Sequence, residues 1–376
     1  MSKTEKLLRE IIALPSVNPA FIPENHPHAG EQRVADFLAV TAARAGLEVE
    51  LQEVLPRRSN LIARLRPRNK IRQTILLAPH LDTVPAASDS QFQPQKKGDR
   101  LFGRGACDTK GSVAAMLSAV CELAQSRSRP SETEIIFAGL VDEENAQAGS
   151  RALVKSGLKA DLAIVGEPTQ LKIVTAHKGN LWLQLETQGR SAHGARPELG
   201  RNAVHAMSRI VDALETDYAA ELRKRRHPLL GPATVNVGVI RGGTQPNIVP
   251  DSCTITLDRR TLPGETEITV KREIAVFLAQ RKLRAIFSNA RPEPCLPMET
   301  DSRLPLIQQF LHSIRQRQPV GVHYFCDAAV LAEGGTPSVV FGPGDIAQAH
   351  TADEWISLRS LERAKDILVN YFKSLP

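Results

Sequence analysis

A chain of 376 residues exceeds the usual size of one hydrophobic core, so two domains are expected, either consecutive or with one inserted into the other. Hydrophobic residues at 42% and charged residues at 24% are ordinary globular values and exclude a disordered or fibrous chain. Five cysteines with no Cys-x-x-Cys pair argue against a disulfide framework or a zinc ribbon, and the net charge of +7 sits in clusters such as "RKRRH" without aromatic interleaving, which argues against nucleic acid.

The first segment, "MSKTEKLLREIIALPS", spaces Leu7, Leu8, Ile11 and Ile12 along one helical face with Lys and Glu between them, unlike the unbroken apolar core of a signal peptide. No later stretch approaches a membrane span, so no membrane partner is expected, and the odd number of scattered cysteines fits a reducing cytoplasm. A helix near 30–45 leads to strands around "LEVELQEV", "NLIARLR" and "QTILLAPH", then to an Ala-rich helix from Gly111 to about Ser126. The strand "EIIFAGL", a short helix near 149–156 and the strand "DLAIVGE" follow. Strands alternating with helices predict a three-layer α/β/α domain around a largely parallel sheet, with functional loops at the strand C-termini.

From Lys178 the texture changes, beginning with the apolar and polar alternation of "LWLQLETQG". A helix around 201–215 precedes the strands "ATVNVGVIRGG" and "SCTITLDRR", then come a helix over about 266–281 and a strand near 283–288. That order, β-α-β-β-α-β, predicts a ferredoxin-like α+β insert over 178–289. After "PEPCLPMETD" a helix at 303–316, the strand "PSVVFG" and a helix to about Tyr371 return to the first texture. This tail is too short to be a domain, so 1–177 and 290–376 are assigned to one discontinuous domain.

Chemically expensive residues stand at the predicted strand ends. "LLAPHLDTVP" passes from a buried strand to His80 and Asp82, which share a face because successive strand side chains alternate. Asp108 lies in the Gly-rich turn "LFGRGACDTKG", Asp142, Glu143 and Glu144 end "FAGLVDEEN", Glu167 ends "LAIVGEPT", and His350 lies in "GPGDIAQAHTADEW". Taken singly, a histidine is more often a packed or surface residue and Asp-Glu-Glu a solvated turn. Several carboxylates gathered in one crevice repel one another unless cations neutralise them. Carboxylates and imidazoles without thiolates suit zinc, cobalt or manganese, and their number exceeds what one catalytic zinc requires, which points to a two-metal site.

"HLDTVP", "GRGACDTKG", "DEEN", "VGEPT", "GRSAHGARPELGRNA" and "GPGDIAQAHTADEW" occur in the order and at about the distances seen in the two-zinc exopeptidase and deacylase family, which the chain resembles over nearly its whole length. That family includes acetylornithine deacetylase, succinyl-diaminopimelate desuccinylase, aminoacylase and glutamate carboxypeptidase. The resemblance implies that Asp108 bridges two divalent ions, zinc or else cobalt or manganese, with His80 and Glu167 completing one position and Glu144 and His350 the other. It implies Glu143 as general base and Asp82 as the residue that orients His80.

The resemblance also implies that the insert serves as a lid and dimerisation domain of a homodimer. His193 of "GRSAHGARP" would reach the partner subunit's site and donate to the developing oxyanion. Asn247 of "TQPNIVPD", Arg260 of "LDRRTLPGE" and Lys178 would bind the substrate's α-carboxylate. The implied reaction removes the acyl group from a small N-acyl amino acid, and "AHKG" with "GPG" and "QAH" looks more like acetylornithine deacetylase than like the desuccinylases. A carboxypeptidase or dipeptidase would use the same centre, and a two-metal phosphoesterase would share its carboxylates. "YFCDAAV" departs from the family by placing Cys326 and Asp327 where many relatives carry a Gly-Thr pair before an acidic residue.

Overall fold

A computed structural model describes residues 1–23, 25–291 and 293–376. The chain forms two compact units, one comprising Met1–Thr175, Thr300–Val320 and Cys326–Pro376, the other Ala176–Glu299 and Gly321–Phe325.

The first unit is built on one twisted sheet. Its central strand, Gln73–Pro79, lies between the parallel strands Thr133–Gly139 and Leu162–Gly166, and Ser338–Val340 pairs parallel to the latter. The antiparallel strands are at the margins: the hairpin Glu48–Leu55 and Arg58–Leu65 on one side, Val174 against Val340 on the other. A strand buried on both faces must be apolar throughout, and the buried stretch "ILLAP" (75–79) meets that demand with alternate residues serving two layers. Ile75 and Leu77 join a core with residues of the helices Lys3–Ile12, Gln32–Arg44, Lys110–Ala124 and Leu358–Lys373. Leu76 and Ala78 are buried on the opposite face, where Ala148–Lys155 and Ala328–Glu333 pack together. The unit is therefore three-layered, as the alternation of elements predicts.

Close packing demands small residues at its crossings. A Cβ on Gly111 would meet Ile356 at 2.5 Å and the Ala106 carbonyl oxygen at 2.6 Å, so glycine lets the helix Lys110–Ala124 start directly against the loop that carries Asp108. Lys110 itself is buried and donates from Nζ to the carbonyls of Ile11 (2.8 Å) and Leu14 (2.7 Å), closing the C-terminal end of the first helix.

The second unit is a four-stranded sheet in the order Thr234–Gly242, Ser252–Thr261, Gly179–Gln188, Ile286–Asn289, with every neighbouring pair antiparallel. Two helical segments cover one face: Ala203–Ala213, continued to Lys224 through a π turn, and Glu267–Gln280. Leu181, Leu183 and Leu185 alternate with Cys253, Ile255 and Leu257 to form its core with Met207, Ile210, Ile274 and Leu278. This is the ferredoxin-like order.

The unit closes later than the sequence pattern suggests, at Glu299 rather than 289, and takes in Gly321–Phe325. The reason is backbone pairing too brief to leave a pattern. Asn180 and Cys295 exchange backbone hydrogen bonds of 2.7 and 3.0 Å, Met298 and Glu299 pair with His177 and Ala176, and the Lys178 N–H donates to the Val322 carbonyl. Among the described residues no helix is long and apolar enough to cross a membrane.

Candidate metal centre

Five loops of the first unit supply the candidate site, four of them following the parallel strands at their C-terminal ends, where an open α/β sheet presents its crevice. His80 follows the strand Gln73–Pro79 directly. Its Nδ1 faces the Asp82 carbonyl at 3.0 Å and the Asp82 carboxylate at 3.3 Å, which fixes the Nδ1–H tautomer and presents Nε2 as a lone pair. Nε2 stands 3.1 Å from Asp108 Oδ1 and 3.9 Å from Glu167 Oε1.

Asp82 does more than hold one ring. Fully buried, it accepts from Asn18 Nδ2 at 2.8 Å and from the backbone N–H groups of Glu143 and Glu144, each at 3.1 Å. One carboxylate thus ties the end of one strand to the turn after another. Burial pushes Asp82 upward, but His80, Asn18 and the Glu144 N–H outweigh it and hold the group below its ordinary range. Asp142, in the same turn at φ 67, accepts from Asn18 and from Arg58, and Arg58 also pairs with the buried Glu31 at 2.6 Å.

Asp108 lies between two imidazoles, one at each oxygen. Oδ1 faces His80, and Oδ2 stands 3.2 Å from His350 Nε2, which lies 3.3 Å from Glu144. Burial opposes the charge of Asp108, yet the two imidazoles keep it well below the carboxylate range. His350, in the left-handed region at φ 62, has its basicity raised to about 10 by Asp108 and Glu144. For Glu143, Glu144 and Glu167 burial is the largest influence and neighbouring carboxylates add to it, so all three are shifted upward, Glu143 and Glu167 strongly.

The donor set suits divalent metal ions. One ligand atom each from His80, Asp108 and Glu144 lie within 4.8 Å of one another, with no thiolate among them. Glu167 and His350 extend the group on either side of Asp108. Crowded carboxylates shifted upward together signal negative charge in need of a cation, which two imidazoles supply only partly.

The second unit carries the remaining predicted residues. His193 is exposed, its Nδ1 accepting from the Ala195 N–H at 3.1 Å, so the proton resides on Nε2. Asn247 adjoins it: the Gly194 N–H donates to the Asn247 carbonyl at 2.7 Å, and a Cβ on Gly194 would lie 2.9 Å from that oxygen. Lys178 and Arg260 line a cavity of about 590 Å³ with Thr234, His323 and Tyr324. Lys178 Nζ donates to the Pro232 carbonyl, and Arg260 pairs with Asp258 at 3.1 Å.

Sequence reasoning missed Asn18, Glu31, Arg58, His323, Tyr324 and Glu354, none of which stands in a chemically expensive strand-end pattern of its own. Asp327 was visible as a departure, and its surroundings give it content. Buried in the first unit, it accepts from Ser150 at 2.6 Å and is pushed up to about 6, chiefly by burial.

Comparison with known proteins follows the same lines. The model of peptidase family M20/M25/M40 matches residues 76–374. The acetylornithine deacetylase of Myxococcus xanthus is 31% identical over 353 residues, covering 89% of this chain and 89% of its own. That of Edwardsiella ictaluri (strain 93-146) is 31% identical over 369 residues, covering 93% and 92%. Among solved structures, aminopeptidase PepT from Bacillus cereus superposes with a TM-score of 0.78 at 21% identity, covering 99% of this chain and 97% of its own. A dinuclear metal binding peptidase of the M20 family from Bacillus subtilis gives 0.70 at 14%, covering 98% and 96%. At these identities the structural likeness establishes the fold.

Proposed function

The chain belongs to peptidase family M20/M25/M40 and is a metallo-hydrolase of that family, and from this premise we propose that it removes the acyl group from an N-acyl amino acid in the manner of an acetylornithine deacetylase. The observation that carries the metal assignment is Asp108, whose two carboxylate oxygens each face a different imidazole. In this reading Asp108, His80, Glu167, Glu144 and His350 would together hold two divalent ions, taken to be zinc. When bound, such ions lower the pKa of water and polarise an amide carbonyl.

The chain's own side chains do the rest. Glu143, its carboxyl shifted upward by burial and its carboxylate neighbours, takes the proton from the attacking water and returns it to the leaving nitrogen. Asp82 keeps the His80 ring oriented and the Glu143–Glu144 turn in place. His193 donates from Nε2 to the developing oxyanion. Arg260 and Lys178, which line the cavity beside Thr234, hold the substrate's carboxylate, and Asn247 contributes from beside His193.

A homodimer fits the second unit. Its strand Thr234–Gly242 is a sheet edge with Val239 42% and Ile240 54% exposed, an apolar strip suited to a second copy. The five scattered cysteines, with no Cys-x-x-Cys pair, suit a reducing, cytoplasmic setting.

A carboxypeptidase or dipeptidase places the same carboxylate beside the same centre, so the choice is experimental. The test is hydrolysis of N-acetyl, N-succinyl and dipeptide substrates by protein reconstituted with zinc, cobalt or manganese. Preferential release of acetate from N-acetyl amino acids is expected, whereas preferential dipeptide cleavage would establish the peptidase instead.

A further inference from the structure

Glu354 lies in the loop that delivers His350, immediately before the strand Trp355–Ser357. It is 1% exposed, and both carboxylate oxygens are doubly engaged. Oε2 accepts from Arg104 Nη1 at 2.8 Å and from the Gly105 N–H at 2.9 Å. Oε1 accepts from the Cys107 N–H at 2.8 Å and the Asp108 N–H at 2.9 Å. Every one of these donors belongs to the Gly-rich turn that carries Asp108. The backbone adds to the grip, since the Gly103 N–H donates to the Glu354 carbonyl at 3.1 Å and Trp355 pairs with Phe102.

We infer that Glu354 is a positioning residue for the metal centre, locking the turn 104–108 so that the two oxygens of Asp108 stay aimed at His80 and His350. The inference rests on the reading that Asp108 and its neighbours hold two ions. Its physical basis is the cost of the alternative. Residues 103–110 are, with Phe102 beside them the exception, buried, so N–H groups of Gly105, Cys107 and Asp108 released from Glu354 would have no water to turn to. The turn would re-form to pair them and carry Asp108 with it. Because His350 and Glu354 share one loop, the same side chain also sets how His350 meets Asp108. Glutamine cannot substitute: in either orientation its amide NH2 confronts two donors, Arg104 and Gly105 or Cys107 and Asp108.

The experiment compares the full chain with Glu354→Gln and Glu354→Asp, each stripped of metal and titrated with Co2+. Visible absorption reports coordination, a competing chelator reports affinity, and circular dichroism confirms that each chain is folded at the working temperature. The parent is expected to take up two Co2+ ions. Glu354→Gln is expected to bind about 10- to 100-fold more weakly with an altered absorption band, and Glu354→Asp, which keeps the carboxylate, to fall between. A loss of packing alone would lower thermal stability without altering the band. Parental affinity and spectrum in folded Glu354→Gln would overturn the inference while leaving the metal centre standing; if that variant does not fold, the same result in Glu354→Asp overturns it. A parent that binds no Co2+ would overturn the metal centre itself, and this inference with it.

Discussion

Glu143 sits in a buried site where Glu144 and Glu167 are already committed to facing imidazoles, and it makes no ion pair among the described residues. Burial is the strongest influence on it, and Glu167, Asp327 and Glu144 add to the upward shift against the pull of His80. A base for neutral pH needs this kind of tuning, because an ordinary carboxylate is too weak to take a proton from water efficiently. Glu143→Gln keeps the volume and removes the proton acceptor. Turnover is expected to fall by about 10²- to 10⁴-fold, with metal content by elemental analysis unchanged. Parental turnover in that variant would take Glu143 out of the role. The candidate residues of this site stand out in the sequence because His80, Asp108, Glu143, Glu144, Glu167 and His350 each follow an apolar strand or sit in a Gly-rich loop. Their supports do not. Asn18 reaches Asp82 across 64 residues and Glu354 reaches the Asp108 N–H across 246, and nothing in the local pattern of either residue announces its partner.

The strand Val174–His177 carries the chain out of the first sheet, and its last residue gives it a pH dependence. His177 is fully buried, with Nδ1 bonded to the Lys178 carbonyl at 2.9 Å and Nε2 without a hydrogen-bond partner among the described residues. Burial lowers its pKa from 6.5 to about 4. The imidazole is therefore neutral when folded, while the unfolded chain takes up a proton as soon as pH falls below 6.5. Its contribution to stability is complete above pH 6.5, declines as pH falls through the interval to about 4, and reaches a loss of about 3 kcal/mol below it. Urea midpoints at pH 7, 5.5 and 4 should fall less steeply for His177→Gln than for the parent; parallel slopes would show that His177 is not the group responsible. This strand also marks where pattern reading stopped short. Long elements such as "QTILLAP" and "LWLQLETQG" declare themselves by run or alternation, but the two-residue pairing of Met298–Glu299 has too few positions to show a period. The sequence pattern therefore ends the insert at 289, whereas the compact unit runs to Glu299.

The proposed metal ligands all belong to the first unit and His193 to the second, so how the two kinds of residue meet is a question about assembly. In the proposed homodimer His193 of one protomer completes the site of the other, and this has an arithmetic consequence. Glu143→Gln and His193→Ala are each expected to be nearly inactive alone, since every site lacks either the base or the oxyanion donor; removing such a donor costs about 10²- to 10³-fold. When the two are unfolded together, refolded and allowed to pair at random, half of the dimers are mixed. Each mixed dimer has one site with both changes and one with neither, because Glu143 comes from the His193→Ala protomer and His193 from its partner. Sites shared between protomers therefore restore roughly a quarter of parental activity. If each chain supplied its own histidine, every site would keep one defect and no activity would return. Mixing without exchange controls for pairing, and size-exclusion chromatography confirms that dimers form.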